Sequence, residues 1–296
     1  MGNEGFNIYK FLSEIKVTYI YLLIFILTLA PIINPIGIAI STSQDTVDYY
    51  NELKKLGPDD IVLVSWNIGF DALMELKSGA YVSMRAIMES GAKMVHVFGH
   101  PEGPGIFPLI FGDQDEGTVG ELTKTMENYD YTEGDDYIVL GYIMLNEASV
   151  VSIARDFHNY VIVDWKGAPI SGTFLDEIED PADLSLIVDF SAGFFSEAIV
   201  RHMAMDFGTP MLISAIGVSI ATSSLFVDAG YVSAVLGSTR GGAEIEFLAG
   251  QPGVGLQAMD SFTIIHYFYI LILILGNVAY FGYERHQHER RRTALR

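Results

Sequence analysis

The chain has 296 residues, half of them hydrophobic, with a formal net charge of −20 and no cysteine. This hydrophobic content is enough for a full core and excludes an intrinsically disordered protein. The lack of cysteine excludes a disulfide framework, a thiolate nucleophile and a cysteine-based metal site. Positions 42–261 hold 33 Asp and Glu against 10 Lys and Arg. Such a surface repels nucleic acid and anionic lipid surfaces, so we expect neither as a partner. The same charge favours solubility and could attract cationic ligands.

The first predicted element is an apolar segment, Val17–Ile40, which follows a short N-terminal stretch (1–16) and contains no charged residue. A membrane-spanning helix needs about 20 apolar residues, so we predict a transmembrane helix over 17–40. A cleaved signal peptide is the alternative, but its apolar core would be shorter, and a clean A-x-A cleavage site is missing here. Pro31 and Pro35 predict a kink or an early helix end near Asn34.

Short apolar runs alternate with helical patterns through positions 41–261. After a helix that Ser43 caps, the predicted strands are Ile61–Trp66, Met94–Phe98, Tyr137–Ile143, Tyr160–Val163, Leu184–Asp189, Pro210–Ser214 and Tyr231–Leu236. The predicted helices are Asp71–Ser90, Glu147–His158, Phe194–Phe207, Ala221–Ala229 and Arg240–Leu248. Strands without polar alternation are buried on both faces, which is typical of a parallel sheet covered by helices. We therefore predict an α/β fold, a doubly wound, Rossmann-like and mostly parallel sheet inserted between two transmembrane helices.

Two stretches interrupt this alternation. Positions 101–136 are rich in glycine, proline and acidic residues, and we predict a long excursion there with one helix near Val119–Asn128. Lys166–Pro181 is the second irregular stretch, and it carries an acidic cluster.

The second apolar segment, Phe262–Tyr283, predicts another transmembrane helix with tyrosines near both ends, as expected at membrane–water boundaries. The tail that follows, 284–296, contains five arginines against two glutamates. Basic residues that flank a span are retained on the cytoplasmic side, so we predict a cytoplasmic C-terminus. Two spans then place the N-terminus in the cytoplasm as well. The interpretation is a two-pass protein of the cell membrane, with the bilayer as partner and residues 41–261 outside the cytoplasm.

Candidate site residues follow the predicted strands, because ligands of open α/β sheets bind beyond the carboxyl ends of the strands. The polar and glycine residues at these positions are Asn67, Asp71, His100, Ser191, Ser238, Thr239, Arg240 and Gly241. Together they are candidates for a small-molecule site.

The run GSTRGG, which opens the helix over Arg240–Leu248, is a candidate anion site. Successive backbone N–H groups and an arginine could hold an anion there. The spacing matches neither a Walker A motif nor G-x-G-x-x-G. A tight strand–helix turn, which also needs glycine, is the alternative that we favour.

A metal site is a further hypothesis, since His100, Glu102, Asp113 and Asp115 could form a carboxylate–imidazole group. Their spacing follows no established ligand pattern, and we favour a solvated loop without metal. The sequence contains no G-x-S-x-G motif, which would have indicated a serine hydrolase. The sequence specifies neither a cofactor nor a reaction.

Four pieces of the chain carry a family resemblance: GPDDIVLVSW, DFSAG, VLGSTRGGAEIE, and MDSF leading into ILILGN. The chain resembles a family of uncharacterised prokaryotic, largely archaeal, two-span membrane proteins. The resemblance covers about a third of the chain. It implies a Rossmann-like domain outside the cytoplasm and implies no activity.

The sequence leaves three functions open. Small and polar positions in the second apolar segment, Gly276, Asn277, Ala279 and Gly282, offer close helix contacts and predict a homo-oligomer. A structural subunit of a membrane assembly is therefore the first hypothesis. A domain that binds or senses a small ligand is the second, and an enzyme of unspecified reaction is the third. The second and third rest on fold analogy, and fold alone does not imply function.

Overall fold

The computed structural model describes residues 8–38, 40–112, 119–193 and 196–294. The chain divides into two compact units. One unit is Ala39–Leu256, and the other combines Met1–Ile38 with Gln257–Arg296.

The first unit is built on one sheet. Its strands in the described residues are β1 (Ile61–Asn67), β2 (Lys93–Phe98), β3 (Tyr137–Tyr142), β4 (Leu186–Ser191), β5 (Met211–Ala215) and β6 (Ala234–Gly237). All five pairings are parallel, in the order β3-β2-β1-β4-β5-β6. The predicted parallel, Rossmann-like α/β sheet is confirmed. The chain builds one half of the sheet outward from β1 and then returns to start the other half at β4.

Helices connect and cover these strands. In this unit they are α3 (Gln44–Leu53), α4 (Phe70–Ser90), α5 (Gly103–Phe111), α6 (Thr123–Asn128), α7 (Glu147–Arg155), α8 (Phe157–Tyr160), α9 (Ser196–Ile199), α10 (Ile220–Asp228) and α11 (Ser238–Leu248). The described part of α9 continues as a π-helix over Val200–Met205. The Ser43 side chain accepts a hydrogen bond from the Thr46 N–H, which confirms the predicted cap of α3.

Each face of the sheet contributes to its own apolar core. In β1 the side chains alternate: Val62, Val64 and Trp66 belong to one cluster, while Ile61 and Leu63 belong to the other. All seven residues of β1 are buried. The near-continuous apolar run Ile61–Trp66 therefore forms a strand that is covered on both faces, as the sequence predicted.

Helix α5 lies where an irregular excursion was predicted. Pro104 occupies the first helical turn, where no backbone N–H is needed for an intrahelical bond. Ile106, Phe107 and Ile110 are buried in the core on that face. Packing of these apolar side chains stabilises α5, although its glycine and proline content argues against a helix. The predicted helix near Val119–Asn128 is present as the shorter α6.

The predicted strand Tyr160–Val163 is wrong. Its first residue ends α8, whose N-terminus is capped by Asp156 through the Asn159 N–H at 3.2 Å. Val163 makes only an isolated antiparallel bridge to Pro169. The β-branched residues at 161–163 thus follow a short capped helix and do not join the sheet. The start of the helix predicted from Phe194 lies outside the described residues.

The second unit contains the helices α1 (Ile8–Ser13) and α2 (Val17–Ile33) and all but the first three residues of α12 (Val254–Ala294). By length and composition, Val254–Arg285 is the one described helix able to cross a membrane, and only 6% of its most apolar stretch is buried. Side chains that face outward in this way suggest membrane association. Helix α2 is shorter than the predicted segment 17–40. It ends at Ile33, and Asn34 is extended, which agrees with the helix end predicted near Asn34, because the residue before Pro35 is driven out of the helical conformation.

Candidate functional site

The candidate site lies where the order of the sheet reverses, between β1 and β4. Asn67 and Ser191 are partners at the carboxyl ends of these two strands. In open α/β sheets, ligands bind in the crevice outside this point. Both residues are among the candidates chosen from the sequence, and the structure places them side by side.

A buried polar network lies on one face of the sheet at this point. The Asn67 Nδ2 group donates to Asp189 Oδ1 at 2.7 Å and to Ser65 Oγ at 2.9 Å. Ser196 Oγ donates to the other oxygen of Asp189, and Ser191 Oγ donates to the Gly193 carbonyl at 3.1 Å. Asn67, Asp189 and Ser191 are each at most 1% exposed. Groups buried to this degree are held in one arrangement by their hydrogen bonds.

Asp189 is a site residue that was not among the candidates chosen from the sequence. Burial raises the pKa of its carboxyl group to about 6, against hydrogen bonds from Ser196, Ser65 and Asn67 that lower it. A carboxyl group that titrates near neutral pH is a feature of functional sites. The signal that could have identified it is an acidic residue inside an apolar strand, in the run LIVDFS.

The amide oxygen of Asn67 is buried and has no hydrogen-bond partner among the described residues. Exchanging the amide oxygen and nitrogen would point the oxygen at the Asp189 carboxylate, so the network fixes the orientation. The oxygen faces Gly99, because a Cβ atom there would overlap it and would also lie 3.1 Å from Leu145. Glycine at position 99 therefore leaves room for the Asn67 oxygen itself, an acceptor that lacks a donor among the described residues.

His96 also has a buried atom without a partner, but its surroundings differ. Its Nδ1 accepts a hydrogen bond from Trp66 Nε1 at 3.1 Å, and its Nε2 is unpaired among the described residues. The ring packs against Phe107 and Phe111 at centroid distances of 5.2 and 5.1 Å. Burial lowers the pKa of His96 to about 3, so the ring is neutral. An N–H group among aromatic rings has weak π acceptors, so we assign His96 to the core.

Asp71, His100 and Glu102 gather around Gly69, two residues after Asn67. A Cβ atom on Gly69 would lie 2.7 Å from Glu102 Oε2, 2.9 Å from Asp71 Oδ1 and 3.1 Å from His100 Cε1. The Phe70 N–H donates to Glu102 Oε2 at 2.9 Å. The carboxylate of Glu102 thus caps the N-terminus of α4, where an unpaired N–H group and the helix dipole favour an anion.

The other predicted residues lie two strands further along the sheet, after β6. Ser238 has a left-handed backbone (φ 58°), and its hydroxyl donates to Glu75 Oε1 at 2.5 Å. The Gly217 N–H donates to the same oxygen at 2.7 Å. Thr239 is half-buried in the first turn of α11, and Gly241 is buried against Leu236. A carboxylate therefore already occupies the turn that was a candidate anion site.

Arg240 contacts a carboxylate of its own helix. Its Nε donates to Glu244 Oε1 at 2.9 Å, and Glu244 is 2% exposed. Glu244 Oε2 accepts from the Ser43 N–H and Oγ and from Thr46 Oγ1, at 2.9, 2.7 and 2.8 Å. Burial raises the pKa of Glu244, but the hydrogen bonds from Ser43, Thr46 and Arg240 outweigh it and leave the pKa below its usual value. This geometry favours the structural interpretation of GSTRGG.

The eight predicted residues thus form two groups rather than one site. Asn67, Asp71, His100 and Ser191 lie around the end of β1, whereas Ser238–Gly241 begin α11 at about 10 Å from β4, given the usual strand spacing. No group of three His, Asp or Glu side chains suited to a metal ion occurs in the described part of the chain. Asp113 and Asp115 of the metal hypothesis lie outside the described residues.

No family model matches the chain, and no similar protein is found among curated proteins. The resemblance to two-span prokaryotic proteins stays a prediction, as does the homo-oligomer.

Proposed function

We propose that the α/β domain binds a small molecule in the crevice between the ends of β1 and β4, and that the apolar helices anchor this domain to a membrane. The observation that carries the proposal is the unpaired oxygen of Asn67, a residue that is 1% exposed and whose amide lies against Gly99 at the carboxyl end of β1. We place ligand binding ahead of the role that the sequence favoured, a structural subunit of a membrane assembly. The reason is that specific residues at the ends of β1 and β4 support a binding site.

The unpaired acceptor has an energetic cost. A buried polar group without a partner costs about 1–3 kcal/mol. Such a cost is tolerated at functional sites, where a ligand or a bound water supplies the missing donor. The neighbouring amide nitrogen, by contrast, makes two hydrogen bonds. The unsatisfied atom is therefore the amide oxygen, on the side that lies against Gly99.

A dinucleotide is a poor ligand for this Rossmann-like edge. Dinucleotide sites place a pyrophosphate at the N-terminus of the first helix after β1. Here Glu102 caps that position on α4, and Asp71 lies in the same helical turn. The corresponding turn before α11 is occupied by Glu75. Like charges at both positions repel a phosphate group.

The substitution Gly99→Ala gives the first prediction. The added methyl group would overlap Asn67 Oδ1, so it should displace the amide and disturb the proposed site. Native mass spectrometry of the full chain, extracted from its own membranes, should show a small molecule retained by the wild-type protein. We expect the bound fraction to fall about tenfold or more in the variant, which corresponds to at least about 1.4 kcal/mol.

Gly57→Ala is the matched control, because a methyl group there meets its nearest atom at 3.9 Å. It should retain the molecule. Asn67→Leu, of similar size, provides a second test if Gly99→Ala does not fold. Absence of any retained molecule in the wild-type protein would contradict the proposed function. Retention by Gly99→Ala and Asn67→Leu equal to that of the wild-type protein would contradict it as well.

We also propose a two-pass topology with both termini in the cytoplasm. Three contacts within the second unit support an antiparallel arrangement of α2 and α12. Asp260 accepts from the backbone N–H groups of 36–38 at 2.8–2.9 Å, and Ser261 Oγ donates to the Thr28 carbonyl at 3.1 Å. At the other end, Tyr9 packs against Gly282. Helix α2 alone is about 25 Å long, and the non-helical residues that follow it add the remaining reach.

The second prediction tests this topology by cysteine labelling, for which the natural chain offers a cysteine-free background. Asp135→Cys, at an exposed position of the α/β domain, should react with a membrane-impermeant maleimide on intact cells. Arg296→Cys should react only after the cells are permeabilised, because the arginine-rich tail is expected inside. The reverse pattern would overturn the orientation, and labelling of both positions on intact cells would overturn the two-pass arrangement.

A further inference from the structure

We infer that the ligand of this crevice is an organic cation with a primary ammonium group, an inference that rests on the proposed ligand site between β1 and β4. Two loops run side by side at this edge of the sheet. Asn67 Oδ1 lies against Gly99, and two residues further along the first loop Gly69 lies among His100, Glu102 and Asp71. The unpaired acceptor and the acidic group therefore belong to one edge of the sheet.

The charged groups of this edge are acidic. Asp189 is fully buried beneath Asn67, while Asp71 and Glu102 are exposed beside Gly69. None of the ion pairs among the described residues involves these three carboxyl groups. A cation bound here would find negative charge without displacing an internal lysine or arginine. The acidic domain around it, with 33 Asp and Glu over 42–261, would also speed the approach of a cation.

The hydrogen-bonding pattern favours an ammonium group over a metal ion. Asn67 Oδ1 is an acceptor, and an ionised carboxylate offers only acceptors. A primary ammonium group carries three donors and no acceptor, so it complements such a lining. A metal ion would need several ligands at short fixed distances. The described residues contain no group of three His, Asp or Glu side chains arranged in that way.

Anionic ligands are disfavoured by the same residues. The N-terminus of α4, which would attract an anion at this edge, is already capped by Glu102. The guanidinium of Arg240 pairs with Glu244 after β6 and lies in the other group of predicted residues. At the carboxyl end of β1, Glu102 thus fills the position that would attract an anion, whereas Asn67 Oδ1 lacks a donor among the described residues.

Three two-carbon probes of matched size test this inference: ethanolamine, ethylene glycol and glycolate, which are cationic, neutral and anionic at neutral pH. Each is added at equal concentration and ionic strength to the full chain in detergent. Both tryptophans of the chain, Trp66 and Trp165, lie in the α/β unit, so their fluorescence reports its thermal unfolding. We expect ethanolamine to raise Tm by about 2–4 °C at saturation and the other two probes to leave it unchanged.

Variants locate the effect. The shift should disappear in Gly99→Ala and persist in Gly57→Ala. Asp71→Asn, which removes one exposed charge beside Gly69, should weaken ethanolamine binding about 3- to 10-fold. Asp135→Asn, which removes an exposed charge elsewhere in the domain, should leave the binding unchanged.

The remaining outcomes overturn the inference in distinguishable ways. A shift with glycolate or ethylene glycol that Gly99→Ala abolishes would refute the ammonium ligand and leave the proposed binding site intact. A shift with ethanolamine that survives in Gly99→Ala would refute the assigned location. Absence of a shift with ethanolamine up to the highest soluble concentration would refute the inference, while retention of another molecule in the mass spectra would still support a ligand site.

Discussion

Replacing Asp189 with asparagine is expected to raise the free energy of unfolding by about 1–3 kcal/mol near pH 8. Asp189 is fully buried, and its ionised form is the one that burial disfavours. Asparagine has the same shape, its oxygen can accept from Asn67 Nδ2, and its nitrogen can donate to the Ser196 hydroxyl, which is free to rotate. The variant therefore removes a buried charge and leaves each hydrogen bond possible.

The pH dependence has a definite sign. The pKa of Asp189 is about 6 in the folded protein and 3.8 for the unperturbed group, so the folded state binds the proton more tightly. Its contribution to stability is fully present below about pH 3.8 and is lost as the pH rises through about 6. The difference in unfolding free energy between Asp189→Asn and the wild-type protein should therefore grow across this window and be constant above it.

Chemical denaturation of the full chain, followed by tryptophan fluorescence across this pH range, measures the effect. Asp135→Asn, at an exposed position, is the control and should show no comparable growth. Destabilisation by Asp189→Asn near pH 8 would show that the carboxylate is held by interactions stronger than its burial cost. Stabilisation would mark Asp189 as a group that the protein retains at a cost, as functional sites commonly do.

Replacing Glu246 with alanine is expected to lower the free energy of unfolding by about 3–5 kcal/mol. Glu246 is 3% exposed, and its carboxylate accepts the backbone N–H groups of Gly253, Gly255 and Leu256 at 3.0, 3.1 and 2.9 Å. These groups surround the start of α12, whose first N–H groups have no intrahelical partner. Alanine would leave these three donors unpaired, one of them buried and two partly buried, with a cavity beside them.

Glu127→Ala, on the exposed side of α6, is the matched control and should change stability by less than about 0.5 kcal/mol. Glu246→Gln should lie between the two, because an amide keeps one acceptor oxygen but places a donor group against a donor. The measurement is the same fluorescence-detected denaturation. A loss below about 1 kcal/mol in Glu246→Ala would show that water replaces the carboxylate and that the cap is dispensable.

The fold class could be predicted from the sequence because its signals are local. Runs such as Ile61–Trp66 are apolar without alternation, which is typical of a strand covered on both faces, and the structure buries all of β1. The cap at Ser43 and the early helix end before Pro35 follow from the chemistry of single residues and are confirmed. Helix α5 could not be predicted in this way, since its Gly and Pro content argues against a helix that only the aromatic core stabilises.

The sequence by itself determined an acidic, cysteine-free α/β domain with parallel strands, two apolar segments, and polar residues after the strand ends. Only the tertiary structure decided how those polar residues are used, because partners distant in the chain set the charge and hydrogen bonding of each group. Glu75 and Glu102 reach into the turns that resemble anion sites, and Glu244 pairs with Arg240 while also holding Ser43, 201 positions away. The strand order sets Asp189 beside Asn67 across 122 positions and leaves one amide oxygen unpaired among the described residues. Burial and long-range pairing are properties of the packed molecule, so a local pattern could select Asn67 but could not show that its oxygen lacks a donor.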